Sequence, residues 1–341
     1  MIVASVAVQM YRMLLGIRHP VGVSGNMAAP QRQTQRVIRL PIPFVTEMKF
    51  EVGVIEQVAP QIRRVIAGNP GPYTFHGTGT YIVGHGEVAI IDPGPAIDAH
   101  VDALLTALAG ETVTHQLITH THLDHSPAAR LVGQATGAPT YGFGPHGGGG
   151  GGPAVEEGAD RDFVPDVVLG DGDVVEGAGW RVTAVHTPGH TSNHLCFALD
   201  AEGVLFSGDH VMGWSTSVVA PPDGDMAAYR ASLARLLERD DRVYWPTHGP
   251  AIDAPERHVR AFLDHRASRE RQVLACLADG VTTVADMIAP MYPDLPGGLW
   301  PAARRSVLAH LIELVDRGVV ACDGAPEEDV AFEIVARSPE A

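Results

Sequence analysis

The run Thr119-His120-Thr121-His122-Leu123-Asp124-His125 decides how this 341-residue chain is interpreted. It places three imidazoles and one carboxylate within six residues, directly after the apolar pair Leu117-Ile118. Imidazole nitrogen and carboxylate oxygen are the ligand atoms that Zn²⁺ and similar borderline metals accept. The run therefore predicts a metal site that begins where an apolar strand ends.

The composition is typical of a soluble globular protein, with 45% hydrophobic and 19% charged residues. A net charge of -16 disfavours nonspecific attraction to polyanions. The three cysteines, Cys196, Cys276 and Cys322, are too few and too scattered for a disulfide framework. None stands in a C-x-x-C pair, so no structural zinc knuckle is expected. A reducing cytoplasm is the predicted location.

The first residues are apolar, but Gln9 and Arg12 interrupt them well before the roughly 20 residues that a membrane span needs. No membrane association is expected. Residues 1–36 are interpreted as a poorly specified leader. The glycine run 147–152 predicts a loop without regular structure.

Residues 37–255 alternate short apolar runs with helical stretches, which predicts an α/β layered domain. Several of the runs are apolar on both faces, as buried strands are. The predicted strands are 81–83, 88–91, 116–119, 180–185 and 204–206, and the predicted helices are 98–109 and 226–239.

Residues 256–341 have a different pattern, which predicts a small winged-helix domain of three helices and a β-hairpin. The first helix is predicted to open at His265, and the second is capped by Thr282 or Thr283. The remaining predicted elements are a helix over 300–315 and strands over 319–322 and 330–335.

Four further segments present metal-type residues at a strand end or a sharp turn. Asp92 follows the apolar run 88–91, and Asp209 follows Phe206-Ser207-Gly208. His190 stands in the turn Thr187-Pro188-Gly189-His190, and His248 in Pro246-Thr247-His248-Gly249.

These five segments, in this order, resemble the metallo-β-lactamase superfamily over residues of about 75 to 255. The resemblance implies a four-layer αβ/βα sandwich whose metal site lies at one edge, where strand ends and loops converge. It implies two zinc ions, with iron or manganese as alternatives. By the same resemblance, one ion is held by His120, His122 and His190, the second by Asp124, His125 and His248, with Asp209 bridging both and Asp92 accepting a hydrogen bond from a ligand imidazole.

Two cations about 3.5–4 Å apart lower the pKa of a shared water enough to supply hydroxide near neutral pH. Asp124 is the candidate acceptor of that water's proton, in addition to holding metal. His194 is a candidate to stabilise an oxyanion or to donate to the leaving group, and a structural role beside the ligands is weighed equally. A binuclear metal-dependent hydrolase is therefore predicted.

Individual positions separate this chain from several branches of the superfamily. His122 stands where flavodiiron-type redox members have glutamate. Asp209 is followed by no lysine that could bind a drug carboxylate, so antibiotic hydrolysis is not expected. The tail motifs His265-Arg266-x-x-Arg269-Glu270 and Ala309-His310-Leu311 resemble the β-lactamase-like-protein-2 group. That group contains an endoribonuclease acting on single-stranded RNA and fungal acyl-carrier-protein thioesterases.

Two substrate classes remain open. A thioester or other small acyl compound is favoured, and single-stranded RNA is the alternative. From residue 256 onward the sequence has nine arginines and fourteen carboxylates, so this part of the chain is acidic. Phosphate-binding surfaces need clustered positive charge. A non-catalytic winged-helix regulator with a structural metal site is a third hypothesis, and a homodimer is left open. A basic strip could still form from Arg266, Arg269, Arg271, Arg304 and Arg305. The alternative, in which Arg304 and Arg305 belong to a solvated helix face, is favoured.

Overall fold

The computed structural model describes residues 42–147 and 158–335. The predicted leader 1–36 and the glycines 148–152 lie outside these residues. The first sheet has seven strands in the order β1 (Glu56–Ala59), β2 (Ile62–Ile66), β3 (Gly79–Val83), β4 (Glu87–Ile91), β5 (Thr112–Leu117), β6 (Thr140–Gly142) and β7 (Val167–Val168). The second has five strands in the order β12 (Val243–Pro246), β11 (Val204–Gly208), β10 (Leu195–Leu199), β9 (Trp180–His186) and β8 (Val174–Gly177).

Six α-helices and two short 3₁₀ turns complete the described regular structure. The helices are α1 (Asp98–Ala107), α2 (Ala128–Thr136), α3 (Met226–Leu236), α4 (Pro255–Ala278), α5 (Val284–Met291) and α6 (Trp300–Asp316). The 3₁₀ turns are Asp200–Glu202 and Gly297–Leu299, and a hairpin is formed by β13 (Val320–Cys322) and β14 (Phe332–Ile334).

The two large sheets face each other, and helices cover both outer faces. Along β4, Ala89 and Ile91 pack between the sheets with Phe206. Val88 and Ile90 point the other way and pack against α1 and α2. The second sheet packs in the same manner against α3 and α4. Because both faces are covered, the strands are apolar on both sides, and the predicted four-layer sandwich is confirmed.

The tail forms its own apolar core from α5, α6, the hairpin and the end of α4. This arrangement confirms the predicted winged helix. Thr283 caps α5, with its side chain accepting from Asp286 N. The predicted start of the first tail helix at His265 is wrong, because α4 already begins at Pro255. Proline is compatible with the first helical turn, where its missing N–H leaves no bond unmade.

Helix α4 belongs to two cores at once. Val259 and Phe262 pack on the second sheet, whereas Val273 and Leu277 lie in the tail core. The predicted domain boundary at residue 255 thus coincides with the start of a helix that joins the two parts. No linker separates the hydrolase domain from the tail at this point.

Within the described residues, no helix is both long and apolar enough to cross a bilayer. Cys196, Cys276 and Cys322 are all unpaired.

Candidate metal centre

The predicted ligands converge because the strands that precede them end at one edge of the sandwich. Strand β4 runs parallel to β5, and β11 runs parallel to β12. The carboxyl ends of each parallel pair therefore lie side by side. Asp92, the run 119–125, Asp209 and His248 follow these four ends, and His190 follows β9.

Three imidazoles form the first group of potential ligands. His120 Nε2 lies 3.0 Å from His122 Nδ1, and His190 Nε2 lies 3.2 Å from the same atom. All three residues are buried, and one nitrogen of each lies within 4.8 Å of the others. Three nitrogens at this spacing can hold one metal ion.

The second group contains Asp124, His125 and His248. Asp124 Oδ2 lies 3.0 Å from His248 Nε2 and 3.3 Å from His125 Nε2. Asp209 stands between the two groups, with its Oδ2 3.4 Å from His248 Nε2, 3.6 Å from His125 Nε2 and 4.0 Å from His190 Nε2. The structure therefore brings together all seven residues that the resemblance implied as ligands.

Asp92 lies behind His125 and accepts four hydrogen bonds. The donors are the backbone N–H of Thr119 at 2.8 Å, Thr119 Oγ1 at 2.7 Å, His125 Nδ1 at 2.9 Å and Thr247 Oγ1 at 3.1 Å. Asp92 itself has φ +48°, a left-handed conformation that aspartate tolerates better than most residues. One carboxylate thus fastens the ends of β4, β5 and β12 and directs His125 Nε2 into the cluster.

Backbone carbonyls orient two other imidazoles. His190 Nδ1 donates to Val218 O at 2.8 Å, and His248 Nδ1 lies 3.4 Å from Gly77 O. In each ring the opposite nitrogen then faces the cluster, which is the orientation that a ligand imidazole needs.

Burial keeps the first group neutral. Burial, together with the neighbouring imidazoles, lowers the pKa of His120 and of His122 well below the usual histidine value. Burial also lowers the pKa of His190. A neutral imidazole binds metal without first releasing a proton.

The second group combines charges of both signs. Burial opposes ionisation, but His248 and His125 outweigh it and hold the pKa of Asp209 well below its usual range. His125 likewise lowers the pKa of Asp124 against the effect of burial. In return, Asp209 and Asp124 overcome burial and raise the pKa of His248 to about 10.

Two buried atoms of the cluster have no hydrogen-bond partner in the described structure: Asp209 Oδ1 and His125 Nε2. Leaving a buried polar atom unsatisfied costs roughly 1–3 kcal/mol, and more for a charged group. Divalent cations prefer a set of imidazole nitrogens and carboxylate oxygens such as this one. The residues present therefore fit metal ions.

His194 does not face the cluster. Its Nε2 accepts a hydrogen bond from the backbone N–H of Asp209 at 3.2 Å, and its Nδ1 lies 2.9 Å from Thr187 Oγ1. Burial, and then His210, lower the pKa of His194 well below its usual value. This placement disagrees with a role in donating to an oxyanion or leaving group, because neither ring nitrogen is left for a substrate. The other weighed role, support for a ligand, fits the contact with Asp209.

Sequence reasoning missed several supporting residues. Thr78 Oγ1 donates to Asp124 Oδ2 at 3.1 Å. Asn193 Nδ2 donates to Thr121 Oγ1 at 2.9 Å and to Gly144 O at 3.2 Å, which ties the histidine run to the loop before the glycine run. Threonine and asparagine are common in all loops, so the sequence contains no signal for them. His146, 2.9 Å from Thr121 Oγ1, could have been noticed from its place beside the glycines.

Gly208 allows Asp209 and His194 to approach each other. It has φ +51°, and an added Cβ would lie 2.5 Å from His194 Nε2 and 3.1 Å from Thr119 Cβ. We expect Gly208→Ala to lower the free energy of unfolding by about 2–4 kcal/mol, from left-handed strain and overpacking together. Urea denaturation measures the change. Gly110→Ala is the control, because Gly110 has φ +90° and open space around it. Equal losses in the two variants would contradict the importance of the close contact.

The layered fold and the buried histidine–aspartate edge define a metallo-β-lactamase-fold hydrolase. The sequence matches the metallo-beta-lactamase superfamily over residues 73–248 and the beta-lactamase associated winged helix domain over residues 283–328. The chain therefore belongs to the metallo-β-lactamase superfamily, as the motifs indicated.

Individual relatives share most of the length of this chain. An atrochrysone carboxyl ACP thioesterase of Cryptosporiopsis sp. is 31% identical over 312 residues, which cover 82% of this chain and 84% of the relative. The beta-lactamase-like protein 2 homolog of Caenorhabditis elegans is 30% identical over 275 residues, 78% of this chain and 88% of the relative. A crystal structure of a metallo-beta-lactamase family protein from Thermus thermophilus aligns with a TM-score of 0.66 at 25% identity, covering 82% of this chain and all of that protein.

Proposed function

We propose that this chain is a binuclear, zinc-dependent hydrolase that cleaves thioesters or other small acyl compounds. The observation that carries the proposal is the set of seven buried ligand residues in two adjoining groups with Asp209 between them. The match to a thioesterase over most of both chains supports the substrate class.

The geometry supports one metal position at His120, His122 and His190 and a second at Asp124, His125 and His248. Asp209 would contact both. Divalent ions held by these residues would polarise the substrate carbonyl oxygen and lower the pKa of the attacking water.

The chain's own residues hold this arrangement and move the proton. Asp124 accepts the proton of the attacking water, and Thr78 fixes its position through the bond to Oδ2. Asp92 orients His125, and His194 fixes the backbone of Asp209. Because the ligand side chains are almost entirely buried, little bulk water competes with them.

Charge favours a small acyl substrate over RNA. The basic strip considered as an alternative loses two of its five arginines from the surface, because Arg266 and Arg269 are only 2% and 5% exposed. They lie between the tail and the hydrolase domain and cannot track an RNA backbone along the protein. The rest of the tail is acidic.

A side-by-side assay tests this choice. We expect metal-loaded protein to hydrolyse acyl thioesters of N-acetylcysteamine, to lose the activity on chelation and to regain it with Zn²⁺. Short single-stranded RNA is expected to stay intact. His122→Ala is the matched control, since it removes one ligand and exposes contaminating activity. RNA cleavage that His122→Ala abolishes, with thioesters untouched, would overturn the proposal. Metal analysis of the purified protein distinguishes zinc from iron or manganese.

A further inference from the structure

A small cavity lies between the tail and the hydrolase domain, beside the candidate metal centre. It has a volume of about 40 Å³, and its polar lining includes Ser217, His265, Arg266, Arg269 and Ser306. A water molecule needs roughly 10–15 Å³ of such space. The cavity can therefore take one carboxylate or phosphate group, but not a whole substrate.

Arg266 brings a buried positive charge into this cavity. Its side chain is buried, its Nη2 donates to Ser217 O, and its guanidinium lies 4.9 Å from the centre of the Tyr229 ring. Its Nε is buried without a hydrogen-bond partner. The carboxylates of Glu270, which is half-buried, and Glu313, which is buried, both pair with Arg230 at 2.7 Å.

Among residues 42–147 and 158–335, no carboxylate forms an ion pair with Arg266. A buried cation without a counter-charge costs several kcal/mol, and an anionic ligand would offset that cost. The charge therefore indicates what the cavity accepts.

His265 adds an unused hydrogen-bonding group to the same cavity. Both of its ring nitrogens are buried and have no partner in the described structure. Burial, and then the charges of Arg266 and Arg269, lower the pKa of His265 well below its usual value. The local potential is thus positive, and a neutral imidazole can still donate one hydrogen bond to an anion.

One short segment separates the cavity from the metal ligands. Val218 lines the cavity, and its carbonyl accepts the hydrogen bond from His190 Nδ1 at 2.8 Å. Ser217 also lines it, and its Oγ donates to Asp209 O and, at 2.8 Å, to His210 O. A group bound in the cavity would therefore lie on the other side of residues 217–218 from His190 and Asp209.

We propose that this cavity binds an oxyanion of the acyl substrate, a carboxylate or a phosphate group, and so gives the enzyme a preference for acidic substrates. The inference rests on the proposed hydrolase function and specifies its substrate class. The planar guanidinium of Arg266 offers the charge-assisted hydrogen bonds that recognise such groups.

Matched thioesters test the preference in the metal-loaded, full-length protein. Glutaryl and valeryl N-acetylcysteamine differ only by a terminal carboxylate, and valeryl pantetheine with or without its 4′-phosphate differs only by a phosphate. We expect kcat/KM to be about 10–100-fold higher for the acidic member of one pair, the range of a charge-assisted hydrogen bond. The pair that shows the preference identifies which oxyanion binds. Equal kcat/KM within both pairs would overturn the inference.

Three variants assign the preference to the cavity. Arg266→Met is expected to abolish it, and Arg271→Met is the control because Arg271 is exposed on the same helix. Ser306→Asp places a carboxylate inside the cavity, so it should remove the preference while the protein stays folded. Ser306→Asp also serves if Arg266→Met fails to fold. A preference that survives Ser306→Asp would contradict the proposed location.

Thermal unfolding tests the anion site separately from the proposed hydrolase function. Free glutarate or inorganic phosphate should raise the Tm of the wild-type protein more than that of Ser306→Asp, since a ligand stabilises the state that binds it. A larger Tm shift in the wild-type protein supports the anion site even if no thioester is hydrolysed. The absence of thioester hydrolysis would contradict only the proposed function. Equal Tm shifts in the two proteins would contradict the anion site.

Discussion

Replacing Asp209 with alanine is expected to lower kcat/KM for thioesters by about 10²–10³-fold, the loss seen when one preorganised electrostatic group is removed from an active site. Asp209 Oδ2 lies within 4.0 Å of nitrogens from both ligand groups, which is the position that a bridging carboxylate needs. Without its charge, His125 and His248 lose a facing carboxylate. We therefore expect at least one metal ion per chain to be lost.

The measurement combines kcat/KM with the metal-to-protein ratio. Asp209→Asn keeps the size of the side chain and isolates the effect of charge. The control is Asp225→Ala, which removes an exposed carboxylate that caps α3 through Ala228 N at 2.8 Å. That change should cost about 1 kcal/mol of stability and no metal. A fully active Asp209→Ala protein with an unchanged metal ratio would remove the bridging role.

Asp92→Ala is expected to have the largest effect on stability, lowering the free energy of unfolding by roughly 3–5 kcal/mol. Asp92 is 1% exposed, and its loss leaves four donors from Thr119, His125 and Thr247 without an acceptor. Because His125 would also lose the partner that orients it, we expect metal affinity to fall by about 10–100-fold.

Denaturant titration of metal-loaded and metal-free protein separates the two effects of Asp92→Ala. Thr247→Ala is the matched comparison, because it removes one of the four donors and leaves the carboxylate in place. It should cost about 1 kcal/mol. If both variants lost the same stability, Asp92 would not be the common anchor of these strand ends.

The confirmed predictions depend on local chemistry. The strands around 88–91 and 204–206 and the helices near 98–107 and 226–236 were predictable, because periodicity and turn residues lie within each segment. The winged-helix order was predictable for the same reason. The start of α4 was missed although the sequence contains local signals for it, a proline suited to the first helical turn at Pro255 and the apolar pair Val259 and Phe262 at helical spacing. What the sequence does not show is that this part of the helix packs on the second sheet.

The sequence by itself determined the ligand types, because the ability of an imidazole or a carboxylate to bind metal is a property of the residue type. The position of these residues at successive strand ends could also be read from the sequence. Only the tertiary structure decided the direction in which each side chain points. His194 stands four residues from His190, yet it supports the backbone of Asp209 instead of facing the cluster. Arg266 was a candidate for a basic surface strip, yet it lies buried and donates to the backbone carbonyl of Ser217, 49 residues away in sequence. Burial and hydrogen-bond partners depend on which distant segments meet, and packing alone determines that.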